Sequence, residues 1–255
     1  MVKNLELENQ NVDFGIIGRN ISYSFSAQYF TEKFNNLGLQ SHKFHVFDIA
    51  SINSLTEIFD KYPNLKGLSV TIPYKEQIIP LLNDLSDEAK KIKAVNSIKI
   101  VNNKLIGYNT DVIGFEHSFK MLLQPHHKKA LILGSGGASK AVQFVLNKLC
   151  IPFKIVSRNP ENELSIAYNN IDEKILKSHQ IIINCSPVGT FPAIDLAPQI
   201  PYHLLNKSHY LFDLVYNPSE TLFLKKGISR GAVAKNGYDM LKFQAEKSWE
   251  IWNKD

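Results

Sequence analysis

The chain has 255 residues, is 44% hydrophobic and carries a formal net charge of +5, enough apolar material for one large core or two modest ones. No run of about 18 apolar residues occurs, which excludes a transmembrane helix, and no membrane partner is expected. The lysines fall singly or in short pairs such as Lys90-Lys91 and Lys225-Lys226, not in a basic stripe interleaved with aromatics, so no nucleic-acid partner is expected and the mild positive field suits a small anion.

The N-terminal MVKNLELENQNVDF lacks the apolar core of a signal peptide, and a cytoplasmic protein is expected. From Phe14 onward β-type runs alternate with helical patterns. FGIIG reads as a buried strand. Ala27, Phe30, Phe34 and Leu37 recur at helical spacing, and Gly38 ends that helix. KFHVFDI is a second strand and SINSLTEIFDKY a helix with a serine cap. GLSVTI is a third strand, stopped by Pro73. After a helix broken near Pro80, SIKIV and KLIGY flank Asn102-Asn103, a two-residue hairpin turn. The stretch Val112 to Leu123 reads as helix, and Gln124-Pro125-His126-His127 punctuates the chain.

A second unit follows, with strands at residue 130, at residue 153, in IIINC and in YLFDLVY. Asn236-Gly237 precedes a last helix whose apolar stripe is Leu241, Ala245, Trp249 and Trp252. The architecture implied is α/β: two α/β domains separated by a cleft where ligands meet. One spans 1–111, completed by a C-terminal helix over 238–255. The other, 112–237, is Rossmann-like. Cys150 and Cys185 have neither metal spacing nor a disulfide framework; no metal is expected, and a reducing compartment suits them.

The most informative segment is ALILGSGGASKAVQFVLNKLCIPFKIVSR, residues 130–158. An apolar strand opens into Gly134-Ser135-Gly136-Gly137, followed by Ala138 and a helix. Glycines let the backbone turn tightly against a pyrophosphate, whose charge meets the free N–H groups of the helix start. At the end of the next strand, where the adenosine ribose of a dinucleotide lies, stand Ser157 and Arg158. An acid there accepts from a free 2′-hydroxyl, whereas a cation pairs with a 2′-phosphate, so the cofactor expected is NADP. Ser139 at the third fingerprint position is a small departure.

Hydride chemistry at a carbonyl needs a proton donor at the oxygen. Lys75, just past the third strand, is a candidate, although a lysine taken alone is most often a solvated charge. Asp111 is its candidate partner; a helix N-cap before Val112 is the other reading, and the two are compatible. Ser24 and Ser26 begin the first helix. Local sequence favours cap and turn serines, while two hydroxyls beside helix N–H groups also make a carboxylate site. Asn96 and Gln244 suit sugar-like hydroxyls or structural amide roles equally.

Taken in order, these blocks resemble the shikimate dehydrogenase family along almost the whole chain. Gly18 and Ser24-Phe25-Ser26 are similar to its opening block, with Tyr23 and Ala27 in place of the usual His and Pro. Val70 to Lys75 matches Val-Thr-x-Pro-x-Lys, with Ser69 where Asn is common. Ala94-Val95-Asn96, Asn109-Thr110-Asp111 (then Val112 for a frequent Gly), Gly134 to Ala141, Ser157-Arg158-Asn159, Asn184 to Gly189, Asp213 to Leu224 and Asn236 to Gln244 complete the set. The resemblance implies NADPH-dependent reduction of 3-dehydroshikimate to shikimate, in aromatic amino-acid biosynthesis, by a monomer or homodimer. It makes Lys75 and Asp111 the catalytic pair and sets Ser24 and Ser26 on the substrate carboxylate. Thr71, Asn96, Asp111, Tyr216 and Gln244 would face the ring oxygens. Leu214 and Gly237 would lie near the nicotinamide, and Asp87 loosely near the cofactor. Two rivals share the fold. A quinate/shikimate dehydrogenase using NAD is opposed by Arg158. A catalytically silent ligand-binding regulator has no need of Lys75 and Asp111.

Overall fold

The computed structural model describes residues 11–22, 24–160 and 162–254. The N-terminal residues read for a signal peptide, up to residue 10, and Tyr23 lie outside the described residues. Two compact units emerge: one takes the chain up to Thr110 and again from Lys247, and the other is Asp111–Glu246.

In the first unit the order is β1 (Val12–Gly18), α1 (Phe25–Asn36), β2 (His42–Asp48), α2 (Leu55–Lys61), β3 (Leu65–Val70), α3 (Tyr74–Gln77), β4 (Asp84–Leu85), α4 (Asp87–Ile92), β5 (Ser97–Val101) and β6 (Lys104–Tyr108). They build a mixed sheet of order β2-β1-β3-β5-β6-β4. β1 runs parallel to β2 and β3, whereas β5 is antiparallel to β3 and β6. The hairpin turn forms as expected: Asn102 and Asn103 both take positive φ, 49° and 58°, which this tight turn requires and asparagine tolerates. One sheet face is sealed by Leu65, Leu68, Val70, Tyr74 and Ile98.

Some expectations need correction. Ser51 caps a short 3₁₀ turn, Ile52–Ser54, rather than α2 itself. β3 stops at Val70, so Thr71 and Ile72 belong to the turn that Pro73 shapes. Leu37, placed in the apolar stripe of α1, is 54% exposed, because the helix has ended at Asn36 and the chain turns through Gly38 at φ +69°.

The second unit continues with α5 (Asp111–Lys120), β7 (Ala130–Leu133), α6 (Gly137–Lys148), β8 (Phe153–Val156), β9 (Ser165–Ile166), α7 (Glu173–Ser178), β10 (Ile181–Asn184), β11 (Tyr210–Asp213), α8 (Leu222–Ile228), β12 (Val233–Lys235) and α9 (Tyr238–Asn253). Its sheet is parallel throughout, in the order β12-β11-β10-β7-β8-β9. Numbered within the unit this reads 6-5-4-1-2-3, the doubly wound order, with the reversal between β7 and β10. The central strands are apolar runs buried throughout, as a sheet covered on both faces demands. The stripe on α9 is shared between the units. Ala245 belongs to the second, while Trp252 stacks on Phe14 of the first at 5.3 Å.

His127 carries a pH prediction. Its ring is buried and stacked on Tyr210, its Nδ1 accepts from Gln124 N, and its Nε2 has no hydrogen-bond partner. Burial, helped by the neighbouring His126 and His209, lowers its pKa from 6.5 to about 4. The unfolded chain therefore binds the proton first, so this contribution is intact above pH 6.5 and lost as pH falls toward 4. Urea unfolding across that window should steepen by up to about 1.4 kcal/mol per pH unit, one proton's worth. A His127→Phe variant should lack that component; an identical slope would refute the assignment.

Candidate active site

In the second unit the glycine loop leaves the C-terminal end of β7. Gly134 donates its N–H to Val156 O at 2.9 Å and sits at φ +105°, a conformation costly for any other residue. Gly136 is the N-cap of α6, and a Cβ there would meet nothing within 4 Å. Ser135 and Gly136 are exposed, Gly137 and Ala138 half-buried. The first turn of α6 has no acidic residue, so the positive end of the helix is unopposed. Ser139 is fully buried, and its hydroxyl donates to Gly136 O at 2.7 Å. The departure at the third fingerprint position thus closes the loop.

Leu133 and Val156 are register partners, so the segment after β8 emerges beside the glycine loop. There Ser157 Oγ accepts from Asn159 N (3.2 Å) and donates to Asn159 O (3.1 Å). This tight turn carries Arg158, which is exposed. At the same sheet edge Leu214 follows β11. Gly237 N donates to Val215 O at 3.2 Å, and a Cβ on Gly237 would collide with the Leu214 carbonyl. Leu214 and Gly237 are therefore brought together. Tyr216, two residues on, is half-buried, and burial pushes its phenol above the ordinary range. Gln244 is buried on α9, its amide donating to Leu241 O at 3.0 Å.

An open glycine cradle at an unopposed helix start beside the switch point, with an exposed arginine at the end of the neighbouring β8, fits a dinucleotide bearing a 2′-phosphate.

The first unit carries the other candidates except Asp111, with which the second unit begins. Ser24 occupies the N-cap position of α1, but its hydroxyl makes no capping hydrogen bond. Local sequence favoured a cap; the structure leaves that hydroxyl uncommitted to the helix. Ser26 is buried in the first turn. Thr71 donates its N–H to Ile17 O (2.9 Å) and accepts from Tyr74 N (2.9 Å), closing the turn into α3. Lys75 follows Tyr74, which is fully buried and donates its hydroxyl to Ile49 O at 2.6 Å. The carbonyl of Lys75 accepts from Val95 N at 2.7 Å, so its backbone is held on both sides.

Asn96 is buried. Its side-chain oxygen accepts from Thr110 N (2.6 Å) and its amide donates to Thr110 Oγ1 (3.0 Å), while Asn109 donates to Ala94 O (2.9 Å). The Ala-Val-Asn and Asn-Thr-Asp blocks are thereby knitted together. Asp111 is 5% exposed and is the first residue of α5, so the helix begins one residue earlier than the N-cap reading placed it. Asp87 lies in the first turn of α4, whose cap is Ser86 Oγ accepting from Ala89 N at 3.2 Å; it is exposed and belongs to the first unit.

Sequence reasoning missed the residues that order these loops. Asp48 accepts from Asn20 N (2.8 Å) and Ile21 N (3.1 Å), and Arg19 donates to Ala50 O while lying over the Tyr74 ring. The only signal was a charged pair flanking strand ends. Among the described residues, no group of three or more His, Cys, Asp or Glu side chains could hold a metal ion, and no helix is long and apolar enough to cross a membrane.

Residues 16–98 match the family model described as the shikimate dehydrogenase substrate binding domain. The NADP(+) shikimate dehydrogenase of Methanococcus maripaludis is 36% identical, with 93% of this chain and 90% of that protein covered. That of Clostridium botulinum is 37% identical, covering 93% and 95%. The crystal structure of shikimate 5-dehydrogenase from Thermus thermophilus in complex with NADP(H) and shikimate superposes with a TM-score of 0.83 at 26% identity, covering 95% of this chain and 93% of that one. With nearly its full length matched at this identity, the chain belongs to the shikimate dehydrogenase family.

Proposed function

We propose that the protein reduces 3-dehydroshikimate to shikimate with NADPH, a step of aromatic amino-acid biosynthesis. The observation that carries this reading is the exposed Arg158 beside the glycine cradle of a chain whose relatives are NADP(+) shikimate dehydrogenases. Gly134, Ser135, Gly136, Gly137 and Ala138 would hold the pyrophosphate and Ser157 and Arg158 the 2′-phosphate. Leu214 and Gly237 would flank the nicotinamide, with Asp87 a looser neighbour. When bound, the cofactor supplies the hydride. Lys75 gives a proton to the carbonyl oxygen of the substrate in reduction and takes one from the hydroxyl in oxidation, and Asp111 orients its ammonium. Thr71, Asn96, Asp111, Tyr216 and Gln244 read the ring oxygens. Residues 1–111 with 238–255 form the substrate domain in this reading, and 112–237 the cofactor domain.

Ser24 and Ser26 hold the substrate carboxylate, which the missing cap bond of Ser24 supports. Ser24→Ala and Ser26→Ala should each raise KM for shikimate and leave NADP affinity unchanged. Ser24→Ala should also spare the roughly 1 kcal/mol that loss of a working N-cap costs. Steady-state kinetics and thermal unfolding check both points, and an unchanged KM in both variants returns the serines to local structure. The cytoplasm is the compartment we assign, in keeping with two free cysteines, and the assembly a monomer or homodimer, to be read by light scattering. The reaction itself is tested by incubating the protein with shikimate and NADP and identifying 3-dehydroshikimate as product.

A further inference from the structure

At the C-terminal end of β11, Asp213 is fully buried, and among the described residues no ion pair reaches it. Three donors converge on it instead. Oδ1 accepts from Asn184 Nδ2 (2.9 Å) and Val215 N (3.0 Å), and Oδ2 accepts from Thr221 Oγ1 (2.6 Å). Each donor controls a different segment. Asn184 Oδ1 accepts from Ser186 N (3.1 Å) and Ser186 Oγ (2.6 Å), which shapes the loop after β10. That loop borders the glycine cradle, since a Cβ on Gly134 would stand 3.3 Å from Ser186 N. Val215 N belongs to the turn whose Leu214 carbonyl abuts Gly237. Thr221 Oγ1 accepts from Leu224 N (3.3 Å) and caps α8.

We propose, resting on the reading that this sheet edge holds the cofactor, that Asp213 is a positioning residue for the nicotinamide end: one carboxylate locks the Leu214–Val215 main chain and the loop after β10 into a single arrangement. The site calls for an acceptor-only group, because all three neighbours donate. An amide of the same size would present an N–H to one of them. Burial pushes the carboxyl up to about 6 despite hydrogen bonds from Thr221, Val215 and Asn184 that lower it. The titratable groups whose charges couple to it, Cys185 and Tyr202, are held neutral chiefly by burial and also by its negative charge. Retaining an unpaired buried carboxylate at neutral pH costs stability, a pattern associated with function more than with packing.

The test compares two probes by titration calorimetry: NADP, and adenosine 2′,5′-bisphosphate, which keeps the 2′-phosphate but has no nicotinamide. Asp213→Asn should lower kcat at least about tenfold and weaken NADP, while the bisphosphate binds within about twofold of wild type. Thr221→Val removes one donor and should move both readouts the same way by less, and Thr221→Ser, which keeps the hydroxyl, should restore them. Leu211→Ala, a cavity in the same core, lowers stability and should leave the ratio of the two affinities alone. Equal losses for both probes in Asp213→Asn, or no change in kcat and either affinity, overturn the proposal. If Asp213→Asn fails to fold, Thr221→Val and Thr221→Ser decide by the same criteria. Arg158→Ala guards the underlying reading, because it should weaken both probes together. No effect there defeats the cofactor assignment and not merely the role of Asp213.

Discussion

Replacing Lys75 by alanine should lower kcat by roughly 10²–10⁴, the range for loss of a general acid–base group. Reduction of a ketone by hydride leaves an alkoxide that must gain a proton, and the reverse reaction must remove one as hydride departs. Substrate and NADP should still bind, because hydroxyls and backbone N–H groups elsewhere hold them. Asp111 acts on the same step, so Lys75→Ala and Asp111→Asn should be non-additive, the double variant little worse than the poorer single one. A purely structural role predicts otherwise. At the first residue of α5, Asp111→Asn would then cost only the helix-dipole contribution, about 0.3–1 kcal/mol of stability, and both it and Lys75→Ala would stay within a few-fold of wild-type kcat. The backbone bonds of the Lys75 segment do not involve its ammonium; a fold intact by circular dichroism would therefore place the loss in chemistry.

The second large effect is expected at Arg158. Arg158→Ala should weaken NADP by roughly 1.5–3 kcal/mol, as for loss of a charge-assisted hydrogen bond. NAD, which lacks the 2′-phosphate, should bind almost as before. The exposed side chain on a self-closed turn argues that its removal leaves the fold alone. Equal losses for both cofactors, measured by titration of each variant, would mean that Arg158 shapes the loop rather than reading the phosphate.

Residues that obey one local rule were legible from sequence. The central strands β7 and β10 of the doubly wound sheet are apolar runs buried throughout, and the Asn102-Asn103 turn follows from the φ it demands. Short edge elements were not legible. β4 and β9 have two residues each and β12 three, too few for any alternation to register. α4 carried its own signals, Ser86 before Asp87 and Glu88 with Lys90 and Lys91 at its end, but six residues give little periodicity. Within the site, the glycine loop and Arg158 could be read because their chemistry depends on chain order alone. Ser24 could not, since a serine before a helix reads as a cap whether or not it bonds the helix. Asp213 was hidden for a different reason: its partners Asn184 and Thr221 lie 29 and 8 residues away, and only the fold brings them to one carboxylate.

The most direct measurement is a four-way comparison of kcat/KM, followed at the absorbance band of the reduced nicotinamide, with shikimate or quinate as substrate and NADP or NAD as cofactor. Shikimate with NADP should exceed shikimate with NAD by at least about tenfold, the weight of one charge-assisted contact, and should exceed both quinate pairs. A preference for NAD, for quinate, or turnover of none of the four pairs by the folded protein would contradict it.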